Sequence, residues 1–392
     1  MKSKRILFYL LYCLSLFGAL FFRFPMRDFI GWFPLVIFMV LEWNKAKMFK
    51  HHILWILVFL FISCISCNIY RGQEILVTLL TTANILYLMF YFYLHYERAS
   101  VAQMEKIIVN LFVIFSCCYL FQWLSIPTAY FSSALSEFDI SENSVRLRMP
   151  GSGIASLAYF YAVNCLFYNK KIKYVLIIIV ACFIILLMGF RSMLAGLLIC
   201  SFLLFVSING FNWKIFKYIF LVCVLGCLFL LIPQVQDSIL GMIARQNADQ
   251  SFSNDDYIRI IQLNFFENEH FHSIWERIFG SGMPNQGSYW AYFEDLMNRG
   301  IFWEDWGIIG LGWLIGIPAT FIMILYVLKI LRLKIDNRYK YIKFWFLYIL
   351  LISVTTAEFI RNGNFLIQAM AFYLLDIVYK YNDNENRYNY IS

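Results

Sequence analysis

Apolar stretches of about 18 residues recur along the whole chain, and they constrain its fold more than any other feature. Hydrophobic residues make up 61% of the 392 residues and charged residues only 14%, whereas a soluble domain carries roughly 25% charged residues. An apolar helix of this length matches the hydrocarbon core of a bilayer. The sequence therefore predicts an all-α fold, a polytopic bundle of helices in a membrane.

We predict about twelve membrane spans, whose ends the sequence defines only to within a few residues. Residues 1–233 hold nine of them, residues 234–304 form one large outer loop, and residues 305–392 hold the last three spans and a tail. The basic start Met1–Arg5 leads into apolar sequence without a cleavage site, so we expect the first span to remain. The spans cover residues 6–22, 29–43, 52–69, 75–94, 107–126, 152–169, 173–190, 192–208, 214–233, 305–328, 341–357 and 364–379.

The charges of the segments that join these spans orient the bundle. One side carries 21 basic residues, namely all sixteen lysines and five arginines, and the opposite side carries eleven arginines and no lysine. The positive-inside rule makes the first side cytoplasmic, so both termini are predicted to lie inside. The first side comprises both termini and residues 44–51, 95–106, 170–172, 209–213 and 329–340, with the adjoining span ends.

The arginine-only outer side points to a particular chemistry. Lysine and arginine serve the orientation rule about equally, so orientation does not require arginine alone. A guanidinium is a planar fork of donors that holds phosphate through two hydrogen bonds and keeps its charge. We therefore predict an outward-facing site for a phosphorylated substrate; the alternative is anchoring at the membrane interface together with an accident of composition. The outer arginines are residues 23, 27, 71, 146, 148, 191, 245, 259, 277, 299 and 361.

One of these arginines, Arg191, lies within the segment LLMGFRSMLAG, between two long apolar runs. The stretch from Lys173 to Lys214 has no other charge, and its ~40 residues would form a helix of roughly 60 Å against a hydrocarbon core of ~30 Å. A single span cannot contain that length, so the stretch must form a hairpin. Its midpoint falls near residue 193, which places Arg191 at the outer turn.

The large outer loop is polar, but it is rich in aromatic residues, carboxylates and arginines. Ser253-Asn254-Asp255 predicts a helix start, with Asp255 and Arg259 one turn apart, and the helix ends before Asn268. A turn-rich break at 279–287 separates it from a second helix over 288–299. This pair of helices either caps the bundle or forms a sugar site, in which rings cover pyranose faces and charges bind hydroxyls and phosphate.

All ten cysteines lie inside apolar spans, including the pairs Cys64/Cys67 and Cys117/Cys118. No histidine or carboxylate lies close to either pair in sequence, and a thiolate is costly in hydrocarbon. We expect small buried side chains here, with no disulfide, metal or cofactor.

Three features of the sequence, two single segments and one set of segments in the long loop, resemble those of the bacterial O-antigen polymerase (Wzy-type) and ligase (WaaL-type) families. RLRMPGSG (146–153) is similar to an Arg-x-x-Gly stretch, and MGFRSMLAG (188–196) to a Gly/Ser-x-Arg segment at a periplasmic turn. The segments DDYIR, IFGSGMPN and EDWGIIGLGW are similar to the arginine, the Gly-x-Gly and the Gly-x-x-Gly motifs of the families' long loop. The layout agrees over the full chain, and the matching positions are Arg148, Arg191, Arg259, Gly280/Gly282 and Gly307/Gly310.

The resemblance implies a multi-pass glycosyltransferase (GT-C-like) of the bacterial inner membrane. Its substrates would be undecaprenyl-diphosphate-linked oligosaccharides on the periplasmic side. A flippase and a chain-length regulator of the same pathway would be partners, and no nucleic acid or cofactor is implied. Ligases carry a histidine eleven residues before the first glycine of the Gly-x-x-Gly mark, where this chain has Leu296 followed by Met297. The departure favours a polymerase, with a ligase as the alternative.

The implied reaction needs cations on the leaving diphosphate and a base for the acceptor hydroxyl. The diphosphate candidates are Arg191, Arg148, Arg259 and Arg361; Arg191 and Arg259 are also candidates for a catalytic role. The candidate bases are Glu267, His270, His272, Asp295 and Asp305. Structural roles are the alternatives. Arg361 would anchor a lipid headgroup, Asp305 would lie at a solvated helix start, and the loop residues Arg245, Arg277 and Arg299 would form ion pairs.

Two further function classes also stay open. A flippase or other transporter predicts internal repeats, charges in the middle of spans and no large outer loop. The sequence shows no clear repeat, and Glu42, Glu358 and Asp376 fall near span ends, so transport is disfavoured. A sensor or structural membrane protein would leave the arginine asymmetry unexplained.

Overall fold

A computed structural model describes the chain at residues 2–14, 27–126, 128, 130–131, 138–141, 144–147, 149–189, 191–210, 236, 240 and 258–389. Side chains are described for these residues except 27–30, 138–141, 144–146, 191, 290 and 380–389. Within these ranges the regular secondary structure is helical apart from one short β hairpin, in which Phe138–Ser141 (β1) pairs antiparallel with Ser144–Leu147 (β2).

The described helices are numbered in their order along the chain. The first ten are α1 (Lys2–Leu14), α2 (Arg27–Glu42), α3 (Lys50–Arg71), α4 (Ile75–Thr81), α5 (Ala83–Leu86), α6 (Phe90–Glu97), α7 (Val101–Leu124), α8 (Gly153–Tyr168), α9 (Ile172–Leu187) and α10 (Arg191–Asn209). The later ones are α11 (Ile258–Asn268), α12 (Ile274–Phe279), α13 (Trp290–Asn298), α14 (Gly307–Ile315), α15 (Ile317–Arg332), α16 (Lys340–Ile352) and α17 (Asn364–Asn389). Single 3₁₀ turns cover Tyr87–Met89, Trp303–Trp306 and Asn337–Tyr339.

Membrane character is carried by three helices that are long and apolar enough to cross a bilayer: Lys50–Arg71, Val101–Leu124 and Ser192–Asn209. A fourth span results if Ile75–Thr81 and Ala83–Glu97 count as one, although they meet at a bend of 67°. Ten of the twelve predicted spans fall on helices of the described chain. Residues 6–22 are described only in part and 214–233 lie outside, so about twelve spans stays a prediction.

Two of the predicted spans are each divided by a break within the helix. The predicted span 305–328 is split at Gly316, whose φ of 93° ends α14, and Pro318 then lies in the first turn of α15. The predicted span 75–94 breaks at Thr82 although it contains neither glycine nor proline. There the hydroxyl groups of Thr81 and Thr82 donate to the carbonyls of Val77 and Thr78, both at 2.9 Å, a back-bonding that bends helices.

The outer loop follows its predicted pattern where it is described. Helix α11 ends at Asn268 and α13 covers Trp290–Asn298, close to the predicted ends, and a non-helical stretch precedes α13. The predicted start at Ser253–Asp255 lies outside the described residues. The sequence did not predict α12, a short helix capped by the Ser273 hydroxyl, which accepts from the Trp275 amide at 3.2 Å.

Contacts between loops fall into two separate groups. Segments assigned to the cytoplasm meet through Arg5–Glu97 (3.0 Å), the Lys47 amide on Asp376 (3.1 Å) and Lys340 on the Ser207 carbonyl (2.7 Å). Segments assigned to the outside meet through Arg71–Glu276 (2.5 Å) and the Gly151 amide on the Asn362 carbonyl (2.6 Å). Helix α3 runs from one group to the other, so the groups lie at opposite ends of the bundle.

Between the two ends lies a core of aromatic residues that joins early and late parts of the chain. Phe372 of α17 stacks on Phe49 at 4.4 Å between ring centroids and on Phe346 of α16 at 5.4 Å. Tyr326 of α15 meets Phe372 edge to face at 4.9 Å. All four side chains are fully buried, and aromatic pairs in such arrangements add to the free energy gained by burial.

Two glycines allow the outer end of α14 to press against its neighbours. A Cβ on Gly310 would lie 1.9 Å from the Trp303 carbonyl oxygen, and one on Gly307 would lie 2.0 Å from that of Ser353. Gly307 also has a φ of 52°, in the left-handed region that side chains disfavour. The Ile308 amide donates to the Ser353 carbonyl at 2.7 Å. The 3₁₀ turn and the α16–α17 link are therefore held together.

We expect Gly310→Ala to destabilise the protein strongly, because the added methyl group would collide with backbone that cannot rotate away. Overpacking typically costs about 1–3 kcal/mol, and a backbone collision should fall at or above the upper end. Thermal unfolding of the detergent-solubilised protein measures the loss. Gly287→Ala is the matched control, because its Cβ would meet only the Asn285 side chain at 3.5 Å; equal melting temperatures for the two variants would contradict the packing described.

Candidate active site

A cavity of about 650 Å³ opens among the segments predicted for the outer side, and we call it the arginine cavity. Five separate regions surround it: the broken helix α4–α5, the segment before α8, the turn before α10, the large loop with the 3₁₀ turn at its end, and the α16–α17 link. The residues that line it are Thr81, Asn84, Met149, Pro150, Gly189, Ser192, Arg259, Met283, Trp303, Glu304, Asp305, Thr355, Thr356, Ala357, Ile360, Arg361 and Asn362. Three candidates from the sequence, Arg259, Asp305 and Arg361, thus meet in one cavity.

Arg361 is held by a buried partner. Its guanidinium lies 3.2 Å from the carboxylate of Glu358, three residues earlier, and only 15% of the arginine side chain is exposed. The same guanidinium contacts the Met193 sulfur at 3.8 Å. Burial raises the pKa of the Glu358 carboxyl, whereas Arg361 and a hydrogen bond from Asn364 act to lower it. The pair fixes the arginine at the wall of the cavity.

Asn364 joins this ion pair to helix α8. Its amide group donates to the Glu358 carboxylate at 2.9 Å and to the Glu358 carbonyl at 2.7 Å, while its own oxygen accepts from the Gly153 amide at 2.9 Å. A Cβ on Gly153 would lie 2.5 Å from that oxygen. The first helical residue of α8 therefore has to be glycine for this approach.

Arg259 reaches the cavity from α11 and is half-buried. Within the described part of the chain it forms no ion pair, and Asp255, its predicted helical partner, lies outside that part. No described carboxylate is therefore paired with its positive charge, whereas the charge of Arg361 is paired with Glu358.

Asp305 lies in the 3₁₀ turn Trp303–Trp306 and also lines the cavity. Its carboxylate accepts a hydrogen bond of 3.1 Å from Gln262, a fully buried residue of α11, and Gln262 also donates to the Gly300 carbonyl at 2.9 Å. Because Gln262 lies within the same helix as Arg259, the carboxylate and the arginine are held by one rigid element.

Neither of the two remaining arginine candidates has a described side chain. Arg191 is the first residue of α10, and Gly189 and Ser192 on either side of it line the cavity; its side chain is not among those described. Arg148 lies outside the described residues, and the two residues after it, Met149 and Pro150, line the cavity. The amides at the start of α10 add partial positive charge to this wall.

His270 lies away from the cavity lining, in the core of the outer loop. It is fully buried, and its two ring nitrogens lie 3.2 Å from the Tyr292 hydroxyl and 3.0 Å from the Ser281 hydroxyl. Arg71 donates to its carbonyl and forms an ion pair with buried Glu276 at 2.5 Å. Burial, and after it the charges of Arg71 and His272, lower the pKa of the His270 ring.

The other three base candidates also lie outside the cavity lining. His272 is exposed on the surface. Glu267 and Asp295 are exposed as well, and each pairs with an arginine: Glu267 with Arg277 at 3.1 Å, and Asp295 with Arg299 at 2.6 Å. The prediction of loop ion pairs for Arg277 and Arg299 is thereby confirmed, whereas Arg245 lies outside the described residues.

Several lining and supporting groups were not predicted from the sequence. Thr81 and Asn84 enter the cavity because α4 and α5 meet at a bend, and Asn84 donates to the Asn362 side chain. Glu358 was predicted only as a charge at a span end, and Asn364 was not singled out. A glutamate three residues before an arginine on an outer turn is the one signal that could have indicated the pair.

Among the described residues, no group of three or more histidine, cysteine or acidic side chains could hold a metal ion. No family model matches the chain, and no curated protein matches it either. The arginine cavity brings several reactive groups together. Guanidinium groups from α11 and the α16–α17 link line it together with a carboxylate and several hydroxyl and amide groups.

The buried neutral ring of His270 makes the stability of the outer loop depend on pH. Since its pKa is lowered below 6.5 in the folded protein, the unfolded chain takes up a proton first as the pH falls. The free energy of unfolding should be fully present above pH ~6.5 and should then decrease by up to about 1.4 kcal/mol per pH unit. Melting temperatures between pH 7.5 and 5.5 measure this.

His270→Gln should flatten that pH dependence, because glutamine can occupy the site but does not titrate. His272→Gln is the control, since the His272 ring is exposed on the surface. An unchanged pH dependence in the His270 variant would show that the ring does not stay neutral on folding.

Proposed function

We propose that this chain polymerises a surface polysaccharide at the periplasmic face of a bacterial inner membrane. It would transfer a growing glycan from undecaprenyl diphosphate to the terminal sugar of a new lipid-linked repeat unit, as O-antigen polymerases do. The observation that carries the proposal is the arginine cavity, which Arg259, Arg361 and Asp305 line together with Gly189 and Ser192 on either side of the start of α10.

The chemistry of the cavity suits a leaving lipid diphosphate. When the bond between the anomeric carbon and the diphosphate oxygen breaks, negative charge grows on the leaving group. Arginines fixed in advance stabilise that charge without reorganisation and need no metal. Arg361 is fixed by Glu358, and Arg259 brings a cation that no described carboxylate neutralises.

The second requirement is a group that takes the proton from the acceptor hydroxyl as the new bond to the anomeric carbon forms. Asp305 is the candidate base that lines the cavity together with both arginines. In the proposed step the hydroxyl proton passes to the Asp305 carboxylate, and the lipid diphosphate departs with the electron pair of the broken bond. Gln262 holds the Asp305 carboxylate in place through its hydrogen bond.

A ligase that transfers the finished glycan to lipid A–core is the second candidate, because it would use the same donor and the same arginines. The two are distinguished by deleting the gene. Loss of a polymerase leaves lipid A–core carrying a single repeat unit, whereas loss of a ligase leaves no attached repeat unit. A flippase and a chain-length regulator of the same pathway are the proposed protein partners.

We expect Arg361→Ala, Arg259→Ala and Arg191→Ala each to reduce polymerisation by roughly 100- to 1000-fold, the typical effect of removing one group that stabilises developing charge. Lysine at these positions should rescue poorly, because it lacks the planar fork. The measurement is the length distribution of surface polysaccharide in a deletion strain at matched protein levels.

Arg277→Ala and Arg299→Ala are the matched controls, because both arginines form exposed ion pairs within the same loop. Such pairs contribute at most about 1 kcal/mol to stability, so both controls should give normal long chains. Normal chains from the Arg361, Arg259 and Arg191 variants would refute the diphosphate site.

Asp305→Asn should slow polymerisation by about 100-fold or more, because a positioned general base contributes a factor of 10²–10⁴. The amide keeps the shape of the side chain, so the variant should fold normally and keep its melting temperature. Asp295→Asn, whose carboxylate pairs with Arg299 away from the cavity lining, is the control. Equal activity of the two variants would remove Asp305 from the mechanism.

A further inference from the structure

A second concave site lies beside the arginine cavity, between the α3–α4 turn and the segment before α13. We call it the side groove; it has a volume of about 460 Å³. Its walls include Arg71, Glu74, Val77, Asn285, Ser288 and Tyr289. None of these residues lines the arginine cavity, and none was a candidate site residue from the sequence.

One thin wall separates the groove from the cavity. Thr81 and Val77 lie one turn apart on α4, about 6 Å along its axis; Thr81 lines the cavity and Val77 lines the groove. In the same way, Met283 lines the cavity and Asn285 lines the groove. The side chains of Asn285 and Thr81 meet at 3.5 Å across the wall.

The wall is rigid because a buried amide group holds it. Gln73 is fully buried; it donates to the Met283 carbonyl at 2.7 Å and accepts from the Asn285 amide at 2.9 Å. Tyr289 adds a second support through its hydroxyl, which donates to the Ser281 carbonyl at 2.8 Å. The groove is therefore held in shape before any ligand arrives, which lowers the entropic cost of binding.

The charges of the groove favour a sugar over an anion. Its cation, Arg71, is paired with buried Glu276 at 2.5 Å. Glu74 is exposed and has no ion-pair partner among the described residues, so a second negative charge would be repelled. A carboxylate, an amide and the exposed Ser288 hydroxyl bind hydroxyl groups well.

We propose that the side groove binds sugar residues of the glycan whose diphosphate end occupies the arginine cavity. This inference rests on the proposed function, and it adds a site that selects the repeat unit by its sugars. A saccharide chain that passes the Thr81–Asn285 wall enters the groove within one or two sugar units. Recognition of hydroxyl groups here distinguishes repeat units that share the same lipid diphosphate.

The test uses the full-length protein in detergent and oligosaccharides released by partial hydrolysis from the surface polysaccharide of the host cell, free of lipid and diphosphate. Binding is titrated by saturation-transfer NMR. We expect Ser288→Trp, which fills the groove, to weaken binding at least about tenfold, and Glu74→Gln to weaken it less, because a site built for hydroxyl groups loses affinity when its partners change.

Asn264→Trp is the matched control, since Asn264 is exposed on α11 outside the groove. Normal binding by Ser288→Trp, an equal loss in Asn264→Trp, no binding by the wild type, or displacement of the fragments by inorganic diphosphate would each overturn the assignment. The proposed function is tested separately by the gene deletion. An intact polysaccharide ladder there, with fragments still lost from Ser288→Trp, would refute the polymerase and leave the sugar site standing.

Discussion

The ion pair between Arg361 and buried Glu358 is the interaction on which the arginine cavity depends. Burial of a lone charge is costly, and removal of one partner from such a pair destabilises strongly because the other stays behind without compensation. Asn364 donates to the other carboxylate oxygen of Glu358 and carries the constraint to α8 through the Gly153 amide. One arginine thereby fixes the positions of three separate parts of the chain.

The outer loop is attached to the bundle by a comparable device. Arg71, the last residue of α3, enters the loop and joins both Glu276 and the carbonyl of His270. Its guanidinium also lies 5.4 Å from the Tyr292 ring, a distance at which cation and ring attract. Because α3 is one of the long apolar helices, the loop that carries Arg259 and Asp305 is anchored to a rigid support.

Much of the fold was predictable, because apolar length and turn residues are local signals. The hairpin with Arg191 at its outer turn and the helix pair of the loop follow from such signals. The break at Thr82 was not predicted, because two threonines in an apolar run are a weaker signal for a break than glycine or proline. His270 was considered as a base because a loop histidine is usually exposed, and its burial depends on side chains far away in sequence.

The candidate site was predictable in its members more than in its geometry. Arg259, Asp305 and Arg361 were singled out because they share a side of the membrane, and one cavity holds all three. The partner of each was set by tertiary contacts. Glu358 lies only three residues from Arg361 in the sequence, whereas Gln262 and Asp305 are 43 residues apart.

The position of α17 in the chain has a consequence for synthesis. This last helix supplies Phe372 to the ring of Phe49, Asp376 to the hydroxyl of Tyr91, and Asn364 to the amide of Gly153. Earlier helices enter the membrane without these partners, because the ribosome has not yet made them. Contacts between such distant parts of a chain form late. The supports of the cavity wall at Glu358 and Gly153 are therefore completed only when α17 is in place.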